Sequence, residues 1–369
     1  MIVSNKQIRI GIDGRVFEGN ISGVGRYITE ICKRLDVLLP NAIFYVYSRN
    51  QVPLPVTSER WIPRITEPSL GRKMKSVLWL KLSCGNMVKR DNLDIFWATC
   101  VFFPPLAPNI KKVVTVYDLN HIIVPDTMTF AHRTSYRLFF QKDIKKADTV
   151  ITISGGTTAR LKHLMELERV KEAIPGVDDQ FRLFDPLEID ECKRKWKLPN
   201  DFLLSVSTLE PRKNQKMLIH AFIDLVEKRL LNDSKLVLIG SSGWKDQGIK
   251  DLLSKYLGKE IIYLGYIEDY NDLPPIFAAA QAFVFPSLYE GFGMPVAESR
   301  ACGTPVVATD IPELREAGGP HGIYVRPNIE DLKEGILKAV NLSYSKENIR
   351  AGLYKWSDSA AVYANEMKL

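Results

Sequence analysis

Short apolar, β-branched runs recur along this chain, most of them separated by segments of helical length: IRIGID, AIFYVYS, LDIFWAT, KVVTVYD and TVITIS, then FLLSVST, KLVLIG, IIYLGY, AFVFPS, PVVATD and GIYVRP. Runs this uniformly apolar suit strands buried on both faces, the condition of a parallel sheet covered by helices on each side. The intervening segments carry a helical period, as crossovers between parallel strands do. In the first of them Val24, Tyr27, Ile28, Ile31, Leu35 and Leu38 fall on one stripe that should pack across the sheet. The fold class is therefore α/β.

The series breaks at AIPGVDDQFRLFDP, residues 173–186, where Pro and Gly interrupt the pattern and a new helix-then-strand series begins. At 369 residues the chain is long enough for two cores. The boundaries predicted are 1–175 and 176–351. Five scattered cysteines, an odd number with no CxxC pair, suggest neither a disulfide framework nor a zinc site. The N-terminal MIVSNKQIRIGID has no long apolar core, and no run approaches a membrane span, so a cytoplasmic location is expected.

Ligands in open parallel sheets sit beyond the carboxyl ends of strands, which directs attention to the strand-to-helix loops. GIDGRVFEGNISGVGRYI places Gly19, Gly23 and Gly25 between a strand and a helix, but Ile28 stands where a GxGxxG third glycine belongs. There is no GxxxxGK[ST] phosphate loop either. In SVSTLEPRKNQKMLIHAF, Arg212 and Lys213 stand just before a helix with apolar Met217, Leu218, Ala221, Phe222 and Leu225. Two cations at a positive helix end oppose the macrodipole; they are either solvated or placed for an anion such as a diphosphate.

SLYEGFGMPVAESRACGTPVVATD carries Glu290 and Glu298 eight positions apart. In one unbroken helix they would lie about 80° apart and roughly 12 Å along the axis. Gly291 and Gly293 disfavour a helix there, whereas Pro295 suits a first helical position. Glu290 then falls on a loop and Glu298 on a first turn, with helix N–H groups around Gly291, Phe292, Gly293 and Met294 between them. Glu298 has two readings, ligand contact or dipole complement.

At this point the residues resemble a family. YEGFGMPVAES is similar to the E-x7-E signature of retaining GT-B glycosyltransferases, specifically glycosyltransferase family 4, and STLEPRKN resembles its diphosphate-binding segment. GSSGWKD, LGYIEDYNDLPPIFAAAQAFVFPS and ACGTPVVATDIPELREAGG come next in the family's order. The resemblance implies two Rossmann-like domains with parallel sheets facing a central cleft, the second holding a nucleotide sugar. It implies Glu290 on the donor sugar, Glu298 on the ribose, Arg212 and Lys213 on the diphosphate, Tyr266 and Ile267 against the base, and Gly23 and Gly25 bordering the site. Retention without a metal or other cofactor is implied too, with the two cations and the helix dipole stabilising the leaving diphosphate. A C-terminal helix, 352–369, should return to the first domain, with Ser357 as its cap and Ala360, Ala361, Tyr363 and Ala364 on its apolar face.

One stretch departs from the pattern. Where family members often carry His-Asp, VTVYDLNHIIVPD gives Tyr117 and Asp118, with His121 three residues later. Asp118 is a candidate for contacting sugar or acceptor; His121 is either a substitute for the missing histidine or structural.

PELREAGG and TVYDLN resemble segments of bacterial mannosyltransferases that use GDP-mannose to build O-antigen or other surface polysaccharides. UDP-glucose, UDP-N-acetylglucosamine and GDP-fucose stay open as donors, and a GT-B-fold epimerase stays open as an activity. The formal charge of +7 is concentrated in residues 71–90, which hold six Lys/Arg and no acid. There Met74, Val77, Leu78 and Leu82 form a stripe beside Lys73, Lys75, Lys81 and Lys89, with Trp79 near the boundary. Such a helix either covers a core or rests on an anionic leaflet, which would suit a polyprenyl-diphosphate-linked glycan acceptor. No nucleic-acid recognition motif accompanies the charge.

Overall fold

A computed structural model describes residues 7–19, 23–67, 74–231, 233–243, 247–342 and 345–368. The chain divides into two compact units, Met1–Gly176 with Lys355–Leu369, and Val177–Tyr354. In the first, strands β1 (Ile8–Asp13), β2 (Ala42–Ser48), β3 (Trp61–Ile65), β4 (Ile95–Ala98), β5 (Lys111–Val116), β6 (Thr149–Thr152) and β7 (Val170–Glu172) form one parallel sheet. Its order is β3-β2-β1-β4-β5-β6-β7. The second unit holds β8 (Phe202–Val206), β9 (Lys235–Ile239), β10 (Ile261–Gly265), β11 (Ala282–Phe285), β12 (Val306–Thr309) and β13 (Ile323–Val325). These too are parallel, in the order β10-β9-β8-β11-β12-β13.

Each of the eleven apolar runs contains a strand. The two strands without such a run, β3 and β7, are the edges of the first sheet. Pro63 sits within β3, where a missing N–H is tolerated because one side of an edge strand needs no ladder partner.

The helix Gly23–Leu38 buries Tyr27, Ile28, Ile31, Cys32 and Leu35, while Leu38, at its end, is exposed. Gly23 and Gly25 open this helix rather than lying in the loop before it. The basic segment is helical over Ser76–Arg90, but Leu80–Cys84 is a π-type turn. An extra residue in that turn rotates the rest of the helix about its axis, so the simple stripe is not the buried face. Trp79, Leu80, Cys84 and Val88 are buried, whereas Leu78 and Leu82 are exposed. Trp79 is therefore core rather than boundary, its Nε1 donating to Thr66 Oγ1 at 2.7 Å. Lys81 also turns inward, onto Asp143 and the Phe103 carbonyl. Lys73 lies outside the described residues. Among the described residues no helix is long and apolar enough to cross a membrane.

The last helix, Trp356–Glu366, packs in the first unit. Lys355, not Ser357, occupies its cap position. Ala360, Tyr363 and Ala364 are buried, but Ala361 faces out. The hydroxyl of Tyr363 lies 2.8 Å from Thr115 Oγ1 and 3.3 Å from Tyr27 Oη, and its ring packs 4.8 Å from Trp97. Tyr27 in turn donates to the Ala173 carbonyl at 2.7 Å. Tyr363→Ala should therefore destabilise the protein by about 3–5 kcal/mol through the cavity it opens, and Tyr363→Phe by only about 1 kcal/mol. Urea unfolding of the two variants measures the difference; equal costs would mean that the hydroxyl network, not the ring, holds the helix.

Candidate active site

In the second sheet the strand order reverses between β8 and β11, and a crevice opens where the loops leaving two adjacent strands turn in opposite directions. The segments that leave these strands are 207–213 and 286–293. Pro211 begins a single 3-10 turn, Pro211–Lys213, and Asn214 takes a left-handed conformation (φ 55°) before the helix Gln215–Glu227 starts. The Leu288 N–H donates to the Arg212 carbonyl at 2.8 Å, which ties the two loops together.

Glu290 is buried in this crevice. Its Oε1 accepts from Lys213 Nζ at 2.5 Å and from Ser287 Oγ at 2.6 Å; its Oε2 lies 3.0 Å from Arg212 Nη1. Arg212 also donates to the Tyr289 carbonyl and to Glu210 Oε1, both at 2.8 Å. Lys213 lies over the Phe285 ring at 5.2 Å. Burial alone would raise the Glu290 carboxyl, but Arg212, Lys213 and the Ser287 hydroxyl outweigh it and hold the group at about 2. Glu290 is thus an ionised acceptor between two cations, unsuited to proton transfer near neutral pH. The cations expected to wait for an anion already lie against carboxylates, Glu290 and Glu210.

The helix bearing Glu298 is Met294–Ala301, so Pro295 is its second residue and Glu298 its fifth, just beyond the first turn. Proline is tolerated there because the early N–H groups have no intrahelical partner. Gly293 precedes it at φ 103°, and a Cβ at that position would meet Leu314 Cδ2 at 2.6 Å, so both conformation and space require glycine. Glu298 is buried and accepts from Tyr270 Oη at 2.8 Å. Phe292 is buried, its ring 6.2 Å from that of Tyr354. Beyond β10, Tyr266 is exposed and Ile267 is buried.

In the first unit, Asp118 follows β5 and accepts from the Asn120 backbone N–H (3.0 Å) and Nδ2 (2.9 Å). Tyr117 donates to the Thr99 carbonyl at 2.7 Å, a structural bond. His121 lies between Tyr136 (4.6 Å) and Phe140 (4.2 Å), and burial pushes it down to about 4, leaving it neutral.

Glu210, Ser287 and Tyr270 were not anticipated. Glu210 and Ser287 had a local signal, each lying within three residues of the predicted site residue that it bonds. Tyr270 had none, since it reaches Glu298 across 28 positions.

Residues 188–356 match the family model described as glycosyl transferases group 1. The chain is 26% identical over 270 residues to O-antigen chain mannosyltransferase B of Escherichia coli, an alignment covering 70% of each protein. It is 29% identical over 241 residues to the serotype-specific mannosyltransferase WbdA of Escherichia coli, covering 62% of this chain and 29% of that one. Its fold is similar to that of sucrose-phosphate synthase from Thermosynechococcus elongatus, with a TM-score of 0.74 at 18% identity and 98% of both chains covered. The chain carries a glycosyl transferases group 1 domain on a GT-B scaffold, and it is a glycosyltransferase.

The buried cluster has a direct consequence for stability. A carboxyl held below its ordinary 4.5 stabilises the fold fully above that pH, and the contribution is lost as pH falls toward 2. Glu290→Gln, which leaves two partly buried cations short of one carboxylate, should cost about 3 kcal/mol at pH 7. The difference from wild type, followed by urea unfolding, should shrink between about pH 4.5 and 2; a constant difference would contradict the ionised assignment.

Proposed function

We propose that the protein transfers mannose from GDP-mannose, with retention of anomeric configuration and without a metal, to a lipid-linked glycan acceptor in the synthesis of O-antigen or a related surface polysaccharide. As a transferase with this E-x7-E pattern it is a family 4 enzyme. The observation that carries the reading is the Arg212–Lys213–Glu290 cluster at the β8/β11 reversal. The O-antigen mannosyltransferase relatives support the choice of sugar and acceptor class.

In this reading Glu290, fixed as an anion, accepts hydrogen bonds from hydroxyls of the donor sugar. Arg212 and Lys213 reapportion their donors between Glu290 and the diphosphate as negative charge develops on the leaving group, the stage at which charge stabilisation lowers the barrier. A phosphate oxygen of the departing diphosphate takes the acceptor proton on the same face, so no protein base is needed. Glu298 holds the ribose, and Tyr270 fixes its carboxylate. Tyr266 and Ile267 flank the base. Asp118 orients a hydroxyl of sugar or acceptor, its own geometry set by Asn120.

GDP-mannose should raise the unfolding temperature by mass action, more than UDP-glucose, UDP-N-acetylglucosamine or GDP-fucose does. Transfer should persist in EDTA and give an α-linked product by NMR. Stabilisation by a UDP-sugar instead would replace the donor, an inverted product or loss of activity in EDTA would overturn the mechanism, and an epimerised nucleotide sugar would overturn the transferase reading.

The exposed Leu78 and Leu82, flanked by exposed Lys75 and Lys89, form a surface suited to the inner leaflet where a polyprenyl-linked acceptor resides. Co-sedimentation with anionic vesicles should occur at low salt and fall in a Leu78→Ser/Leu82→Ser variant. Binding unchanged by that variant, or none at low salt, would remove this segment as the contact.

A further inference from the structure

On the second unit an open groove of about 690 Å³ lies between the end of the helix Pro312–Gly318 and the segment around Gly352. Three of its lining residues have no side chain, Gly319, Gly322 and Gly352. Gly319 and Gly352 adopt positive φ, 65° and 74°, and a Cβ on Gly322 would collide with Tyr324. The glycines are therefore required by conformation or by space, and together they leave the groove open.

Two tyrosines, Tyr324 and Tyr354, line it. Tyr324 is fixed by donation from its hydroxyl to the Gly319 carbonyl at 2.5 Å, and Arg315 lies 4.8 Å over its ring. Arg315 is itself held by two bonds to Asp310, at 2.5 and 2.8 Å.

The two walls are joined from beneath by Arg300, one of the largest fully buried side chains of the protein. Its guanidinium donates to the Ala317 carbonyl on one wall (2.7 Å) and to the Ala351 and Ile349 carbonyls on the other (2.5 and 3.2 Å). Burying a guanidinium is costly unless every donor direction is used, and here its bonds fix the width of the groove.

The lining has one exposed cation, Arg315, and one carboxylate, Glu316, so it does not select for a phosphate or a cation. Aromatic rings suit the C–H face of a pyranose; planar charged groups and backbone carbonyls suit its hydroxyls. We propose that this groove binds neutral hexose units of a glycan, as a second carbohydrate site beside the donor loop. The Tyr354 ring touches Phe292, two residues from Glu290, which places the groove near that loop. The identity of the glycan as acceptor or product rests on the transferase reading; the site itself rests on the groove.

Isothermal titration with α-linked mannotetraose, with maltotetraose beside it, tests the proposal on the full chain. Binding should be saturable, and it should weaken about tenfold in Pro320→Trp, which fills the groove from an exposed position, and severalfold in Arg315→Ala. Thermal stabilisation by GDP-mannose should be unchanged in both variants. Binding unaffected by Pro320→Trp, or no binding of either tetrasaccharide to protein that GDP-mannose stabilises, would overturn the groove and leave the transferase reading intact. Tetrasaccharide binding lost in Pro320→Trp, without any stabilisation by a nucleotide sugar, would support the groove and overturn the reading of the donor site.

Discussion

A parallel sheet must be covered on both faces, and in this chain that requirement decides where chemistry can occur. Helical crossovers on the two faces place every strand-to-helix loop at one edge of the sheet, and the order of strands must reverse once within each sheet. In the second sheet the reversal separates the loop carrying Arg212 and Lys213 from the loop carrying Glu290. Residues 77 positions apart are thereby brought to hydrogen-bond distance. The fold thus joins the two halves of the ion cluster, 210–213 and 287–290, across a long separation in sequence.

That cluster is a set of charges drawn largely out of water around the buried Glu290, and such sets persist only when each member is paired. Two cations and two carboxylates satisfy one another here, with Ser287 and the Tyr289 carbonyl taking further bonds. An arriving diphosphate would add negative charge to a balanced group. On the proposed function its accommodation would depend on Arg212 and Lys213 sharing donors between the ligand and Glu290, rather than on vacant cations. Such sharing favours the state with most charge on the leaving group, which is the order of affinities that transfer chemistry needs.

What could be read from the sequence depended on how local each signal was. Interior strands announce themselves because burial on both faces leaves them uniformly apolar; β3 and β7 did not, because an edge strand needs less burial and can accept Pro63. That Glu290 lies on a loop and Glu298 on the helix after it was legible from two glycines and a proline, local devices with known conformational effects, although the helix starts one residue earlier than Pro295 suggests. The buried face of Ser76–Arg90 was not legible because nothing in LKLSC signals a π-type turn. The pairing of cations with Glu290, and of Tyr270 with Glu298, depends on contacts between distant segments. Composition and spacing hold no record of these.

Arg300 connects the two sides of this arrangement. It stands two residues after Glu298 in the same helix, and two residues correspond to about 200° of rotation, so the side chains leave on opposite faces. Glu298 meets Tyr270 on one face, while Arg300 meets three carbonyls from two different segments on the other. A hydrophobic residue at 300 would fill the volume but leave those carbonyls without this partner, and buried acceptors without a donor are unfavourable. The guanidinium therefore sets the position of the helix from one face while Tyr270 holds the carboxylate on the other. Its planar fork suits that task better than an ammonium would, because several donors are fixed in one plane and reach separate segments together. A helix held in this way has little freedom to rotate, so the position of Glu298 is fixed together with that of the helix.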